Sequence, residues 1–391
     1  MSLATRLVLP IAAVAALSSG ALSTAASQVP ATARPAPQVL VTIDRASYGL
    51  GSYSDLAVSA SGVLAVAPIY DNAIRFFSPQ GVHIATAGRK GDGPGEFHFI
   101  TAMGWNGDTL WVADHYLARL TLLSSSGVVL RSLPIPVAIQ GALPRTKSEL
   151  RVPWVAARFP NGDLLMSATR SGRALPGEAA AFREVETWLM RIGVDGSREA
   201  MLAKVPRDGC VVRQTSYFQE EDHRFQHCPA TLFAAARDGS TIAFVKLKPG
   251  FDSIAKFKLT VLTGSGARLF EKTISARATR ATPIVRRTEP DSSAQKSPLS
   301  RLDAQWKPQT YWPVVYDLKV ALNGDIWLGL TPPSDTVARE WRVFSRKGEP
   351  RGTLTLSKGS RDAWVPESRG LWALTEYGKG VPNLQLHASP E

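Results

Sequence analysis

The chain is poor in cysteine, in helical periodicity and in long apolar runs. Two cysteines, Cys210 and Cys228, are too few for a small disulfide-dense scaffold. The longest apolar run, Leu7 to Leu17, is about 11 residues, short of the ~20 that a spanning helix needs. No HExxH motif, no G-x-S-x-G elbow and no P-loop ending in Lys-Ser/Thr occurs, which leaves zincin, α/β-hydrolase and P-loop chemistry without a motif. Phe182 to Met190 is the one stretch that reads as helical. Acidic residues are outnumbered, 33 against 45 Lys and Arg, for a formal charge of +12. Such a balance favours anionic surroundings, such as envelope polymers, lipid headgroups or acidic proteins.

Arg6, the apolar run after it and the small residues Ser18 to Ser27 together have the order of a secretory signal peptide. Residues 1–27 are expected to be removed, with an alternative cut near Ala33 and an uncleaved anchor as the other possibility. The mature protein is expected to be secreted or periplasmic. Export makes nucleic acid an improbable specific partner, and it favours a disulfide between Cys210 and Cys228.

A weak repeat runs through the rest of the chain. A turn residue and Gly precede a β-rich segment six times, at Ser61-Gly62, Asn106-Gly107, Asn161-Gly162, Asp238-Gly239, Asn323-Gly324 and Arg369-Gly370. A second Gly turn follows in five units, at Gly81, Gly127, Gly196, Gly266 and Gly348. Four short strands per unit joined by tight turns is the pattern of a propeller blade. The sixth unit stops after its third strand, near Leu384 to His387, while Val39 to Ile43 forms a strand with no blade of its own. The expected fold is therefore all-β: one domain over 38–391, a six-bladed β-propeller of four-stranded antiparallel blades, the last closed by the N-terminal strand. A monomer is expected.

Gly88 to Phe97, followed by Leu110-Trp111-Val112-Ala113-Asp114, resembles the blade junction of NHL-type, TolB-like six-bladed propellers. Asp317 to Leu328 and Trp341 to Gly352 resemble a group of exported bacterial propellers of unsettled activity. The resemblance implies architecture and hardly constrains function.

If strands are lettered a to d outward from the axis, the Gly turns join a to b and c to d on one face. The b-to-c and d-to-a connections share the other face, and the insertions at 133–153, 168–185, 206–229 and 276–311 all fall there. Loops on a rigid scaffold carry function more often than the scaffold does, so this is the expected ligand face. His98, His115 and Tyr116 belong to it, as do Tyr311 and Trp312, which enter blade five beside the channel mouth. Trp154 enters blade three in a similar place, whereas Trp111, Trp327 and Trp372 are expected to fill gaps between blades. Arg286 and Arg287 sit in the longest insertion, read either as a lid that clamps an anion or as a solvated loop.

Two chemistries compete for the histidines. His98, His115 and His223 are metal ligands in one reading, with Ca or Zn as cofactor, and ordinary loop residues in the other. Cys210, His223, His227 and Cys228 admit a mixed zinc site, although adjacent His227 and Cys228 share one ion poorly. Asp71, Asn72, Asp114 and Glu96 are expected to satisfy loop backbone groups rather than act as acids or bases. The favoured function is a non-enzymatic binding or scaffold propeller without cofactor, recognising a protein, peptide or anionic envelope component on the loop-rich face. The alternative is a lactonase-like metal-dependent hydrolase or lyase with its site at the axis.

Overall fold

The computed structural model describes residues 37–50, 53–68, 71–136, 154–174, 182–196, 199–206, 211–215, 220–224, 231–247, 252–281, 310–332, 339–356, 360–367, 369–375 and 383–390, all within one compact unit, Ala36–Glu391. The expected signal region and Cys210, Cys228, Arg286 and Arg287 lie outside the described residues. Among the described residues every regular element is a β-strand, and none is a helix long and apolar enough to cross a membrane.

The strands form six blades. After β1 (Val39–Ile43), blade one is β2 (Tyr53–Val58), β3 (Leu64–Pro68), β4 (Ile74–Phe77) and β5 (His83–Ala87). Blade two is β6 (Ile100–Asn106), β7 (Thr109–Asp114), β8 (Arg119–Ser124) and β9 (Val129–Pro134). Blade three is β10 (Trp154–Arg158), β11 (Leu164–Ala174), β12 (Phe182–Ile192) and β13 (Glu199–Pro206), extended by a hairpin of β14 (Val211–Thr215) and β15 (Glu220–Arg224). Blade four is β16 (Leu232–Ala235), β17 (Thr241–Lys246), β18 (Ile254–Thr263) and β19 (Arg268–Arg277). Blade five is β20 (Val315–Val320), β21 (Ile326–Leu330), β22 (Arg339–Phe344) and β23 (Pro350–Leu356). Blade six has β24 (Ser360–Glu367), β25 (Gly370–Thr375) and β26 (Asn383–Ala388), and β1 pairs with β26 as its fourth strand. Val41 stands opposite Leu386 and Ile43 opposite Leu384, so the chain's first described strand closes its last blade.

Two sequence expectations are corrected. Phe182 to Met190 is strand β12, because both of its edges find partners. β11 covers one edge, while β13 pairs with Glu186 to Ile192 and β14 with Phe182 to Glu184 on the other. The insertions at 168–185 and 206–229 are consequently not plain loops. They lengthen the b-to-c hairpin of blade three and dock a second hairpin in line with its outer strand. The sixth turn also differs from the others, since Gly370 already pairs with Glu367 and adopts no positive φ.

The second turns share a chemistry beyond their glycine. Gly81, Gly127, Gly196, Gly266 and Gly348 all have φ between +73° and +88°. In four of these turns a hydroxyl three residues earlier (Ser78, Ser124, Thr263 or Ser345) accepts the amide of the residue after Gly at 3.1–3.2 Å. The side chain thus holds the backbone donor that the bulge leaves unpaired.

The apolar core is divided into six clusters, one per blade interface. The b-strands alternate between two of them: Leu64 and Val66 face blade six, while Ala65 and Ala67 face blade two. In β3 and β21 every residue is buried, so both sides of these strands are covered. Trp111, Trp327 and Trp372 are buried, each turned toward the following blade. The cluster between blades six and one includes Val41 and Ile43 of β1 together with Leu384, Leu386 and Trp372.

One polar contact spans the ring. Arg237, in the first turn of blade four, donates from Nη2 to both carboxylate oxygens of Asp55 on β2 at 2.9 and 2.8 Å. Its Nη1 donates to the Ala156 carbonyl on β10 at 3.2 Å. Asp55 in turn accepts the Met103 amide of β6 and the Leu56 amide, both at 2.9 Å. This one ion pair, in which a single Nη2 is shared between both carboxylate oxygens, ties three inner strands to the first turn of blade four. Gly104 lets it form, because a Cβ there would stand 2.5 Å from the Arg237 Cβ.

His387 belongs to the closing seam, opposite Val39 on one side and Leu371 on the other. It is 2% exposed, and burial holds its imidazole below the ordinary value of 6.5. The unfolded chain therefore takes up this proton first, so its contribution is complete above pH 6.5 and is lost as the pH falls through the folded-state value. Melting temperature should drop between pH 7.5 and 5.5, and His387→Gln should flatten that slope. Equal slopes for the two proteins, by thermal unfolding at several pH values, would count against a buried neutral imidazole.

Candidate functional site

On the loop-rich face, the junction between blades one and two is built around Glu96. Its carboxylate accepts the Gly93 amide at 2.8 Å and the Arg89 Nε at 2.7 Å. The Gly93 amide first, and then Arg89, hold this carboxyl below its ordinary range. Arg119 of β8 donates to the Asp92 carbonyl at 2.7 Å and to the Glu96 carbonyl. Phe97 is fully buried against Gly88, where any Cβ would meet its ring at 2.6 Å. The glycine-rich segment is thus a structural junction, closed by its own carboxylate and not shaped as a phosphate cradle.

Asp114 ends β7 and is completely buried. Its Oδ2 accepts the amides of His98 and Phe99 at 2.7 and 3.1 Å, and its Oδ1 accepts that of Leu117 at 3.0 Å. One carboxylate therefore fixes both the d-to-a junction and the b-to-c loop, as the sequence expectation of a structural role holds. The His115 amide adds a hydrogen bond to the Phe99 carbonyl at 3.3 Å.

These backbone ties bring three of the predicted residues together. His98 stacks on Tyr116 with ring centroids 4.8 Å apart, and its Nε2 lies 3.1 Å from Asp92 Oδ1. His115 stacks on Trp154 of β10 at 4.6 Å and 5° between planes. Tyr116 is 72% exposed, and Phe99 and Trp154 are each 44% exposed. Five rings from two loops and one strand entry make an open aromatic patch over blades two and three. Phe99 was absent from the sequence expectation. The signal that could have found it is its spacing from the turn glycine, since Phe99 precedes Gly107 by the same distance as Trp154 precedes Gly162.

Tyr311 and Trp312 belong to blade five, across the ring from blade two. Tyr311 bridges Arg280, the Trp312 amide donates to Thr279 at 2.8 Å, and Ala281 donates to Thr310 at 2.9 Å. The longest insertion thus leaves and returns through a short antiparallel neck. Tyr311 packs on the core between blades four and five and is half-buried.

The donor set for a metal does not come together among the described residues. His98 and His115 stack on different rings, Asp114 is saturated by amides, and no three His, Cys, Asp or Glu side chains there could hold one ion. His223 lies on β15, and its side chain is outside the described residues.

No family model matches the chain, and no curated protein matches it. Several solved structures are similar along most of its length. A member of the DUF4221 family from Bacteroides vulgatus is 9% identical, with 90% of this chain and 94% of that one covered and a TM-score of 0.44. A protein inferred to be exported, from Bacteroides fragilis, is 9% identical over 87% of this chain and 91% of that one, with a TM-score of 0.42. Virginiamycin B lyase from Staphylococcus aureus is 12% identical over 87% and 96%, with a TM-score of 0.38. At these identities the likeness concerns the fold alone.

Replacing Asp114 by Ala should remove three charge-assisted bonds and cost about 3 kcal/mol or more. Hydrogen exchange should quicken first at the His98, Phe99 and Leu117 amides. If those three amides stay protected in the variant, the carboxylate is not what holds the patch together.

Proposed function

We propose that this chain is an exported, monomeric binding propeller that takes a peptide or protein segment across the aromatic patch of its loop-rich face. The observation that carries this reading is the pairing of exposed rings with a rigid base. Tyr116 and Trp154 each lie flat on a histidine, while Asp114 clamps the loops beneath them. Exposed aromatics with few rotatable bonds lose little entropy on binding, and they offer both an apolar face and a polar edge. The formal charge of +12 favours acidic segments and anionic envelope material among the ligands.

The scaffold suits binding in a second way. Its turn face is nearly uniform from blade to blade, whereas blade three projects a paired hairpin at the loop-rich end. This asymmetry supports a recognition surface on one side of a stiff ring. Secretion or residence in the periplasm fits the order of the first 27 residues.

The test is selection of peptides from a random displayed library on the mature protein, followed by affinity measurement. Trp154→Ala and Tyr116→Ala should each weaken the selected peptides tenfold or more, as central anchors do. Peptides insensitive to both substitutions, or one stoichiometric Ca²⁺ or Zn²⁺ in the purified protein by elemental analysis, would overturn the reading.

A further inference from the structure

Blade four carries a charge that its neighbours do not. Residues 231–281, which span it, hold nine Lys and Arg against three Asp and Glu, a net +6 that is half of the chain's +12. Residues 88–136, which span blade two, hold four of each, and residues 37–87, with blade one, hold two against three. Much of the excess sits on the outer strands. β18 and β19 are ten residues long, against four to six for β4, β5, β8 and β9. β17 ends at Lys246, opposite Lys258, so Ile254 to Phe257 have β19 as their sheet partner and project at the loop-rich end.

Alternation sorts the side chains of this extension. Phe257, Leu259, Val261, Ile274 and Ala276 pack toward blade five. The intervening residues turn the other way, as Leu262 does in joining the cluster with blade three. On that face Lys258 stands opposite both Lys246 and Thr273, Lys256 opposite Ser275, and Ile254 opposite Arg277. All seven of these side chains are exposed. Arg277, Lys256 and Lys258 therefore occupy successive rungs, about 7 Å apart. Glu271, on the next rung, is the one carboxylate on this face of the two strands. It accepts from Lys258 Nζ at 2.9 Å and from Thr260 Oγ1 at 3.2 Å.

Like charges directly across a sheet are destabilising, and here Lys246 faces Lys258 with Lys256 one rung away. Such a face is complementary to a ligand that brings anions at a matching repeat. Its make-up narrows the class. The three cationic rungs carry no aromatic side chain on which a base could stack, which counts against nucleic acid. Ile254 is their one apolar residue, so a peptide would find no pocket for an anchor. What they offer is cations interleaved with the hydroxyls of Thr273 and Ser275 along an extended strand. We propose that this open face of blade four is a binding site for a linear anionic polysaccharide. Its carboxylate or sulfate groups pair with Lys246, Lys256, Lys258 and Arg277, and its hydroxyls meet Thr273 and Ser275. The site is separate from the aromatic patch over blades two and three and does not depend on it.

The test is affinity measurement on the full chain with polygalacturonate, dextran sulfate, neutral dextran, poly-glutamate and single-stranded oligothymidylate. Polygalacturonate, dextran sulfate or both should bind, with an affinity that falls as salt rises, and neutral dextran should not. Lys256→Gln combined with Arg277→Gln should weaken that binding about tenfold or more. Its melting temperature should be unchanged or higher, because the substitutions relieve like-charge repulsion. Lys90→Gln combined with Arg131→Gln removes the same charge from blade two and should change the affinity less than about twofold. Trp154→Ala should leave polysaccharide binding as it was, whatever it does to peptides. Absence of binding by both anionic polysaccharides, or an equal loss in the two double variants, would overturn the proposal. So would a loss in Trp154→Ala, or poly-glutamate or oligothymidylate binding as tightly as the polysaccharides.

Discussion

A ring of sheets holds only if its two ends meet, and here they meet along one antiparallel ladder between β1 and β26. Each blade buries its apolar residues against its two neighbours, so no central core exists to hold an open ring together. The interface between blades six and one is therefore as necessary as the other five. It differs in drawing on residues more than 300 positions apart in the chain, Ile43 against Leu384 for example. Val41 also reaches the next blade, where it packs so closely on Gly81 that a Cβ would stand 2.7 Å from its Cγ1. Burying Val41 and Ile43 is worth about 3–6 kcal/mol together, a large fraction of the net stability of an ordinary domain.

The ring separates its two ends chemically. Asp55 and Arg237 cross the axis among the middle residues of the inner strands, and that pair consumes a carboxylate and a guanidinium that would otherwise face a ligand. On the loop-rich side the polar groups are spent on backbone amides, which leaves aromatic rings as the exposed chemistry. On the turn side Arg158, Asn106 and Asp238 line a cavity among the first turns instead.

Much of the fold was legible because its grammar is local. A glycine in the left-handed region is a backbone requirement, and five of the six first turns and all five second turns meet it. The missing fourth strand of blade six was likewise visible as a count of turns. What failed was decided by long-range pairing. Phe182, Val185, Trp188 and Leu189 recur at a spacing that suits a helix locally, yet β13 and β14 offer the segment's edge hydrogen bonds that a helix would forfeit. The candidate site was legible in part. His98 meets Tyr116 because both border the same buried Asp114, whereas His115 stacks on Trp154 of the next blade. Asp55 and Arg237 stand 182 residues apart and belong to no motif, so only the closed ring brings them together. One hint was present: Asp55 and Asp317 stand at the same distance before their turn glycines, and each accepts the amide of the following Leu.

The dependence of the ring on its closing strand can be measured directly by deleting Gln38 to Arg45 from the protein and following thermal unfolding. The account predicts a fall in melting temperature of about 10 °C or more, partly reversed when a synthetic peptide of those eight residues is added in trans. An unchanged melting temperature in the deleted protein would contradict it.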